Sequence, residues 1–430
     1  MNIQKLLYQN VLWRGLFYLV TFILNIAIAR HFESGLTGTL YYLVNVYALI
    51  TLVTSVSLEA GIIYFASSQK ISRASLFMFS IVWVMMMTFV MIVLFVLFTL
   101  LHVAGITSRV FLYALMFISG NLFITFLNSL YYSKSKFILP NVTGIIINCL
   151  LIALIFFVDN AHWLTNGKYF SLYFASFLLQ GLILICLFFI NPGENLQLRL
   201  PSVSELKILF HYCLLTFASN VITFLFYRVD YWFVHHYRSA EELGNYIQVS
   251  KITQMFFVLP AILASAVFPL TASGYRQEIN DLLKIVSRFI FFLYGILCLF
   301  LALVGRWLFP FVFGNSFNKM YIPFLFLIPG VLALSTLYSL TAYYAGKNRV
   351  MINVKGSCVA LIIIITGDAL LIPSYGISAA AAVSSVGYIA YHIFVLSVFT
   401  KEYKTSIRGF YFFKFSDLSR IKKSILKNIN

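Results

Sequence analysis

The stretch 343–356, YYAGKNRVMINVKG, echoes 131–144, YYSKSKFILPNVTG, 212 residues earlier and without a gap. Tyr131/Tyr343, Tyr132/Tyr344, Asn141/Asn353, Val142/Val354 and Gly144/Gly356 are identical. Each copy is a basic hinge between two long apolar runs. A weaker echo aligns residues 36–41, LTGTLY, with 242–247, ELGNYI, at an offset of 206, with only Gly38/Gly244 identical. Two echoes in the same order and at nearly the same offset point to a duplicated chain. Two-fold repeats of hydrophobic segments are a common build for secondary transporters, whose substrate path lies between the repeats.

Composition puts this duplication in a membrane. The chain is 61% hydrophobic and 10% charged, with a mean hydropathy of +0.93. Soluble domains carry roughly 25% charged residues. The formal charge of +17 would suggest nucleic acid on a soluble protein. Here it reads instead as basic loops held against an anionic leaflet, with membrane lipid and not nucleic acid as the partner. Cys149, Cys186, Cys213, Cys298 and Cys358 all fall inside apolar runs without ligand-like spacing, and are expected to be neither disulfides nor metal ligands. The first apolar run lacks a small-residue cleavage pattern and is expected to be the first spanning helix.

A spanning helix needs about 20 mostly apolar residues. Twelve segments qualify: 8–30, 38–66, 76–101, 109–132, 138–158, 168–190, 207–232, 243–272, 285–305, 320–345, 350–372 and 376–400. The longest connection, 191–206, carries Asn191-Pro192-Gly193 and Pro201 and falls between the sixth and seventh. The expected organisation is an amino-terminal lobe at 1–190, a linker at 191–206, a carboxy-terminal lobe at 207–400 and a basic tail at 401–430. No loop is long enough for a soluble catalytic domain, which argues against an enzyme. With the N-terminus inside, inner segments and tail hold 20 Lys and Arg against six outside, so both termini are expected in the cytoplasm. In the tail, Leu418, Ile421 and Ile425 would share one face of a short interfacial helix capped by Ser416, or the tail is a disordered basic segment.

Charges inside the spans are the candidates for function. Arg14, Arg228, Lys251 and Lys355 are basic; Glu59, Asp230 and Asp368 are acidic. A charge near mid-bilayer costs at least about 2.5–3.5 kcal/mol on insertion scales, so it faces a polar cavity or a partner. Lys251 lies about nine residues into its segment, roughly 13 Å at 1.5 Å per residue, which favours a cavity over a structural pair with Asp230 or Asp368. Arg14 and Lys355 lie nearer the ends, where snorkelling to headgroups is the competing reading. Arg228 and Asp230 are two apart and point to different faces of one helix. Glu59 reads equally as a structural pair or an ion-coupling group. Arg30, His31, His235, His236 and Arg238 give an outer mouth polar and basic character. More cations than carboxylates favours an anionic, phosphate-bearing cargo. No Walker A element Gly-x-x-x-x-Gly-Lys-[Ser/Thr] is present, which argues against a built-in ATPase. No His/Cys/Asp set has metal-ligand spacing, and no cofactor is expected beyond coupling to H+, Na+ or the membrane potential.

Four stretches carry a family resemblance. They are Ala29-Arg30-His31-Phe32 leading to Gly38-Thr39-Leu40-Tyr41, Arg228-Val229-Asp230 leading to Glu242-Leu243-Gly244-Asn245-Tyr246, Phe309-Pro310-Phe311-Val312-Phe313-Gly314 followed by Phe317, and residues 371–380, LIPSYGISAA. The last is one residue shorter than the family's Ile-Pro-x-[Tyr/Phe]-Gly-Ile-x-Gly-Ala-Ala turn, with Ser378 alone where x-Gly is usual. Together they resemble the polysaccharide (lipid-linked oligosaccharide, O-antigen type) flippases of the multidrug/oligosaccharidyl-lipid/polysaccharide exporter superfamily, over about residues 1–400. The resemblance implies an all-α polytopic protein of two six-helix lobes working by alternating access. It implies an inner-membrane flippase that moves an undecaprenyl-pyrophosphate-linked oligosaccharide to the outer leaflet, with a polysaccharide polymerase and chain-length proteins as partners. Arg14, Arg228, Lys251 and Lys355 would then contact pyrophosphate or acidic sugars.

Two other readings compete. A cation-coupled multidrug or small-molecule exporter of the same superfamily would rest on Glu59, Asp230 or Asp368. Against it, the first helix carries Arg14 and no carboxylate. A membrane polymerase or acyltransferase would need a large outer loop or a convergent acid/base set, and the sequence shows neither.

Overall fold

The computed structural model describes residues 3–102, 107–158, 166–190, 199–272 and 279–412, and within them every regular element is helical. In order these are α1 (Ile3–Ser55), α2 (Leu58–Ser67), α3 (Arg73–Leu100), α4 (Ser108–Tyr132), α5 (Ile138–Val158), α6 (Asn166–Ile190), α7 (Val203–Tyr237), α8 (Ala240–Met255), α9 (Val258–Ala272), α10 (Ile279–Phe313), α11 (Tyr321–Gly346) and α12 (Val350–Tyr403). A helix satisfies its own backbone hydrogen bonds, which is what a chain crossing hydrocarbon requires. The expected linker is outside the described residues over 191–198, and the tail beyond residue 412, with Ser416, Leu418, Ile421 and Ile425, is outside them as well.

Among the described residues, ten stretches are long and apolar enough to cross a membrane, where the sequence reading expects twelve segments. The difference lies in α1 and α12, which run for 53 and 54 residues. Each contains one residue of non-helical backbone. In α1 it is Glu33 (φ 58°), between the segments expected at 8–30 and 38–66. In α12 it is Gly376 (φ 64°), the first residue of the segment expected at 376–400. Pro373 three residues earlier removes a backbone donor, and glycine takes the positive φ without a Cβ penalty. The Arg238 guanidinium lies 3.0 Å from where a Cβ on Gly376 would stand.

Two further breaks fall inside expected segments. Val56 and Ser57 have φ of 48° and 55° between α1 and α2. The Ser57 hydroxyl accepts a 3.0 Å hydrogen bond from Asn220, which ties the break to α7. Phe256 and Phe257 separate α8 from α9. Both breaks lie in apolar sequence with no proline within two residues, so hydropathy passes over them.

The chain divides into two compact units: Met1–Phe32 with Leu40–Val221, and Glu33–Thr39 with Ile222–Asn430. In the first, α4 packs along α6 and α3, and Phe77 of α3 stacks on Phe188 of α6 with centroids 4.1 Å apart. Arg73 is buried at the start of α3 and donates to the Leu130 carbonyl at 3.0 Å, placing a cation at the carboxy-terminal end of α4. In the second, α11 packs along α12, α9 and α10, and Ser385 of α12 donates to the Phe326 carbonyl at 2.5 Å.

The two copies of the long echo make the same turn, one in each unit. Lys136 N–H donates to the Tyr131 carbonyl (3.0 Å) and Arg349 N–H to the Tyr344 carbonyl (2.8 Å). Ser135 (φ 57°) and Asn348 (φ 58°) supply the left-handed residue of this helix-ending motif. The turn closes one residue later in the second copy than the sequence alignment places it.

Candidate functional site

The intramembrane charges of the second unit gather around α7. Asp230 is buried and accepts hydrogen bonds from the hydroxyls of Tyr246 on α8 (2.5 Å) and Ser384 on α12 (3.3 Å). Its Oδ1 has no hydrogen-bond partner. Asp368 on α12 is 0% exposed, and neither of its carboxylate oxygens has a hydrogen-bond partner. The two carboxylates interact repulsively with each other. Two carboxylates in a low-dielectric interior cannot both stay ionised without a proton or a cation between them. This arrangement can therefore take up a monovalent cation or hold a proton.

Arg228, two residues before Asp230, lies half-buried with its guanidinium 5.6 Å from the Phe224 ring centroid. Its electrostatic partners include Lys251 on α8, a like charge. Arg228 and Lys251 both lie on helices long and apolar enough to cross a membrane, and Arg and Lys are the usual phosphate partners. Four of the seven predicted intramembrane charges, Arg228, Asp230, Lys251 and Asp368, thus fall in one neighbourhood of one unit.

The others lie apart from this group. Arg14 is exposed on α1, its guanidinium 5.3 Å from the Tyr132 ring centroid. Lys355 is exposed in the second turn of α12. Glu59 is half-buried in the first turn of α2, directly after the Val56–Ser57 break, where the positive end of the helix dipole favours a carboxylate. Its Oε2 is buried without a hydrogen-bond partner.

Of the residues expected at an outer mouth, Arg30 and His31 belong to the first unit, exposed and half-buried respectively, just before the Glu33 break. His235, His236 and Arg238 belong to the second, the two histidines exposed at the end of α7. Arg238 pairs with Glu242 at 2.6 Å, and Lys319 approaches the same carboxylate at 3.7 Å. The hydrogen bond that Arg238 donates to Glu242 holds its guanidinium pKa above the ordinary arginine value.

Sequence reasoning missed the hydroxyl partners. Tyr246 stood in the quoted Glu242–Tyr246 stretch without a role, and Ser384 sits in an alanine-rich run. Tyr388, one turn beyond Ser384, feels both carboxylates. The missed signal is a set of hydroxyls on α8 and α12, which becomes visible only when those helices meet Asp230.

No family model matches the sequence, and no curated protein matches it. Solved structures do match in fold. "Lipid II flippase MurJ, inward closed conformation" aligns at a TM-score of 0.71 and 15% identity, covering 92% of this chain and 89% of that one. The inward-facing conformation of a multidrug resistance MATE family transporter of the MOP superfamily aligns at 0.68 and 14% identity, covering 91% and 96%. A mutant of the Vibrio cholerae MATE transporter VcmN aligns at 0.62 and 14%, covering 94% and 98%. At such identities the likeness is one of fold, and it spans nearly the whole of each chain. This is a multi-pass membrane protein, helical throughout its described residues, with the fold seen in the MurJ lipid II flippase and in MATE transporters.

Proposed function

We propose that the protein is a flippase that carries an undecaprenyl-pyrophosphate-linked oligosaccharide from the cytoplasmic to the outer leaflet of the bacterial inner membrane, for O-antigen, capsule or exopolysaccharide assembly. The observation that carries this reading is the placement of two basic residues, Arg228 on α7 and Lys251 on α8, on candidate membrane spans of one unit, which suits a pyrophosphate. The fold likeness to the MurJ lipid II flippase supports a lipid-linked cargo by analogy. In this reading the two longest helices each cross twice, dividing at Glu33 and Gly376, which gives twelve spans in two six-helix lobes at 1–190 and 207–400, joined by 191–206 and followed by a cytoplasmic tail at 401–430. Both termini are cytoplasmic in this reading, and the lobes work by alternating access. A polysaccharide polymerase and chain-length proteins would act on the product.

Asp230 and Asp368 would take the coupling ion, a proton or sodium. An anion leaving an inside-negative cell also moves downhill by about 2.3 kcal/mol per charge per 100 mV, so the membrane potential alone can drive export. The test is the lipid-linked oligosaccharide of a strain lacking the protein. The expected result is accumulation on the cytoplasmic face, relieved when the gene is restored. Normal surface polysaccharide with no trapped intermediate would overturn the proposal.

A second reading, a cation-coupled multidrug exporter, is favoured by one observation: the buried Asp230–Asp368 pair can as readily drive drug exchange. It requires that expression raise drug tolerance and that Asp368→Asn abolish the gain, with surface polysaccharide unaffected.

A further inference from the structure

The first unit carries a polar face that contains a single charge. On α1, Arg14, Thr21 and Asn25 recur at steps of seven and four residues, which places them on one side of the helix. On α4, Thr125, Asn128 and Tyr132 recur at steps of three and four, again on one side. The two stripes meet where the Arg14 guanidinium lies 5.3 Å from the Tyr132 ring centroid. From α5, Asn148 donates to Thr21 Oγ1 at 3.0 Å. From α6, the Gln180 amide nitrogen lies 3.1 Å from where a Cβ on Gly144 would stand, beside the Phe17 ring. Thr21, Asn25, Asn128, Asn148 and Gln180 are all half-buried rather than enclosed. The buried Oδ1 of Asn128 has no hydrogen-bond partner.

Thr21 Oγ1 donates to the Phe17 carbonyl and Asn25 to the Thr21 carbonyl, each at 2.8 Å, and Asn25 Oδ1 accepts from the Tyr41 hydroxyl; each half-exposed side chain keeps further donor or acceptor capacity, which suits a polar ligand. The chemistry of this face narrows the ligand. Residues 15–25 of α1, 121–132 of α4 and 138–158 of α5 contain no charged side chain. Amides and hydroxyls both donate and accept, which matches the hydroxyls of sugars, and beyond Arg14 the stripe offers nothing to neutralise a drug cation or a uronic acid. From Arg14 to Asn25 the stripe runs about 16 Å at 1.5 Å per residue.

Resting on the flippase reading, we propose that this face of the first unit is a subsite for the uncharged sugar units of the cargo, with Arg14 at one end for the pyrophosphate. Thr21, Asn25, Asn148 and Gln180 bind the sugar hydroxyls, and the site selects glycans that are neutral next to the lipid.

The test uses the full-length protein in proteoliposomes. Two probes are compared: the lipid-linked oligosaccharide isolated from the deletion strain, and the same lipid trimmed by glycosidases to its first sugar. In Asn148→Leu, and in the nearly isosteric Thr21→Val, the ratio of long-glycan to trimmed-glycan transport should fall about tenfold relative to wild type. Size-exclusion profile and thermal unfolding in detergent show whether each variant is folded. An unchanged ratio in the folded Thr21→Val protein would overturn the subsite. So would mass analysis finding acidic sugars next to the lipid. Failure of the wild-type protein to move either probe would instead overturn the flippase reading, and the subsite with it.

Discussion

Gly38 and Gly244, the identical pair of the weaker sequence echo, lie against each other. A Cβ on Gly38 would stand 2.7 Å from Gly244 N and 2.5 Å from the Ala240 carbonyl oxygen. A Cβ on Gly244 would run into the Ser34 carbonyl. The obstacles are backbone atoms, so no rotamer change can relieve them. Close helix approach through small residues is a usual packing device in membranes, where apolar burial does not drive association. Both Gly38→Ala and Gly244→Ala should therefore destabilise the protein, by about 1–3 kcal/mol as overpacking does. Thermal unfolding in detergent measures this. Gly35→Ala is the control: its nearest neighbour would be Glu241 Cγ at 3.8 Å, and the substitution should cost nothing measurable.

Lys251→Ala should reduce transport at least tenfold at wild-type protein level. Flux of lipid-linked oligosaccharide in proteoliposomes is the readout, and wild-type flux in Lys251→Ala would remove Lys251 from the substrate path.

Asp368 is buried without hydrogen-bond partners, and its charge is repelled by that of Asp230. Replacing it with Asn removes a repulsion while keeping shape. The folded protein should be as stable as wild type or more so, while transport should lose its response to an imposed sodium or proton gradient. Transport that still follows the gradient in Asp368→Asn would exclude the carboxylate pair from coupling.

Glu402 gathers the turn between α11 and α12, with Lys347 at 3.1 Å, Arg349 at 2.8 Å and the Tyr344 hydroxyl at 3.4 Å. These groups are partly exposed, and such ion pairs are each worth about 0.2–1 kcal/mol. Glu402→Gln should lower the unfolding temperature slightly in low salt. In 1 M salt, where the screening length is about 3 Å, wild type and variant should converge. An equal difference at both salt concentrations would show that packing, not charge, holds the turn.

The sequence by itself settled the solvent and the material: composition put the chain in a bilayer, and hydropathy located its spans. The positions of Glu33 and Gly376 were legible too, because a charged stretch and an Ile-Pro-x-x-Gly stretch interrupt the apolar runs there. Tertiary structure decided the rest. The breaks at Val56–Ser57 and Phe256–Phe257 leave no mark on hydropathy, since the first is stabilised by Asn220 from a distant helix. The seven intramembrane charges were each visible as residues, but not their grouping. Arg228 and Lys251 lie on different helices, and Asp230 and Asp368 are 138 residues apart. Helical periodicity fixes which face of one helix a side chain occupies. Which faces meet depends on close packing between helices, and Gly38 against Gly244 is such a contact.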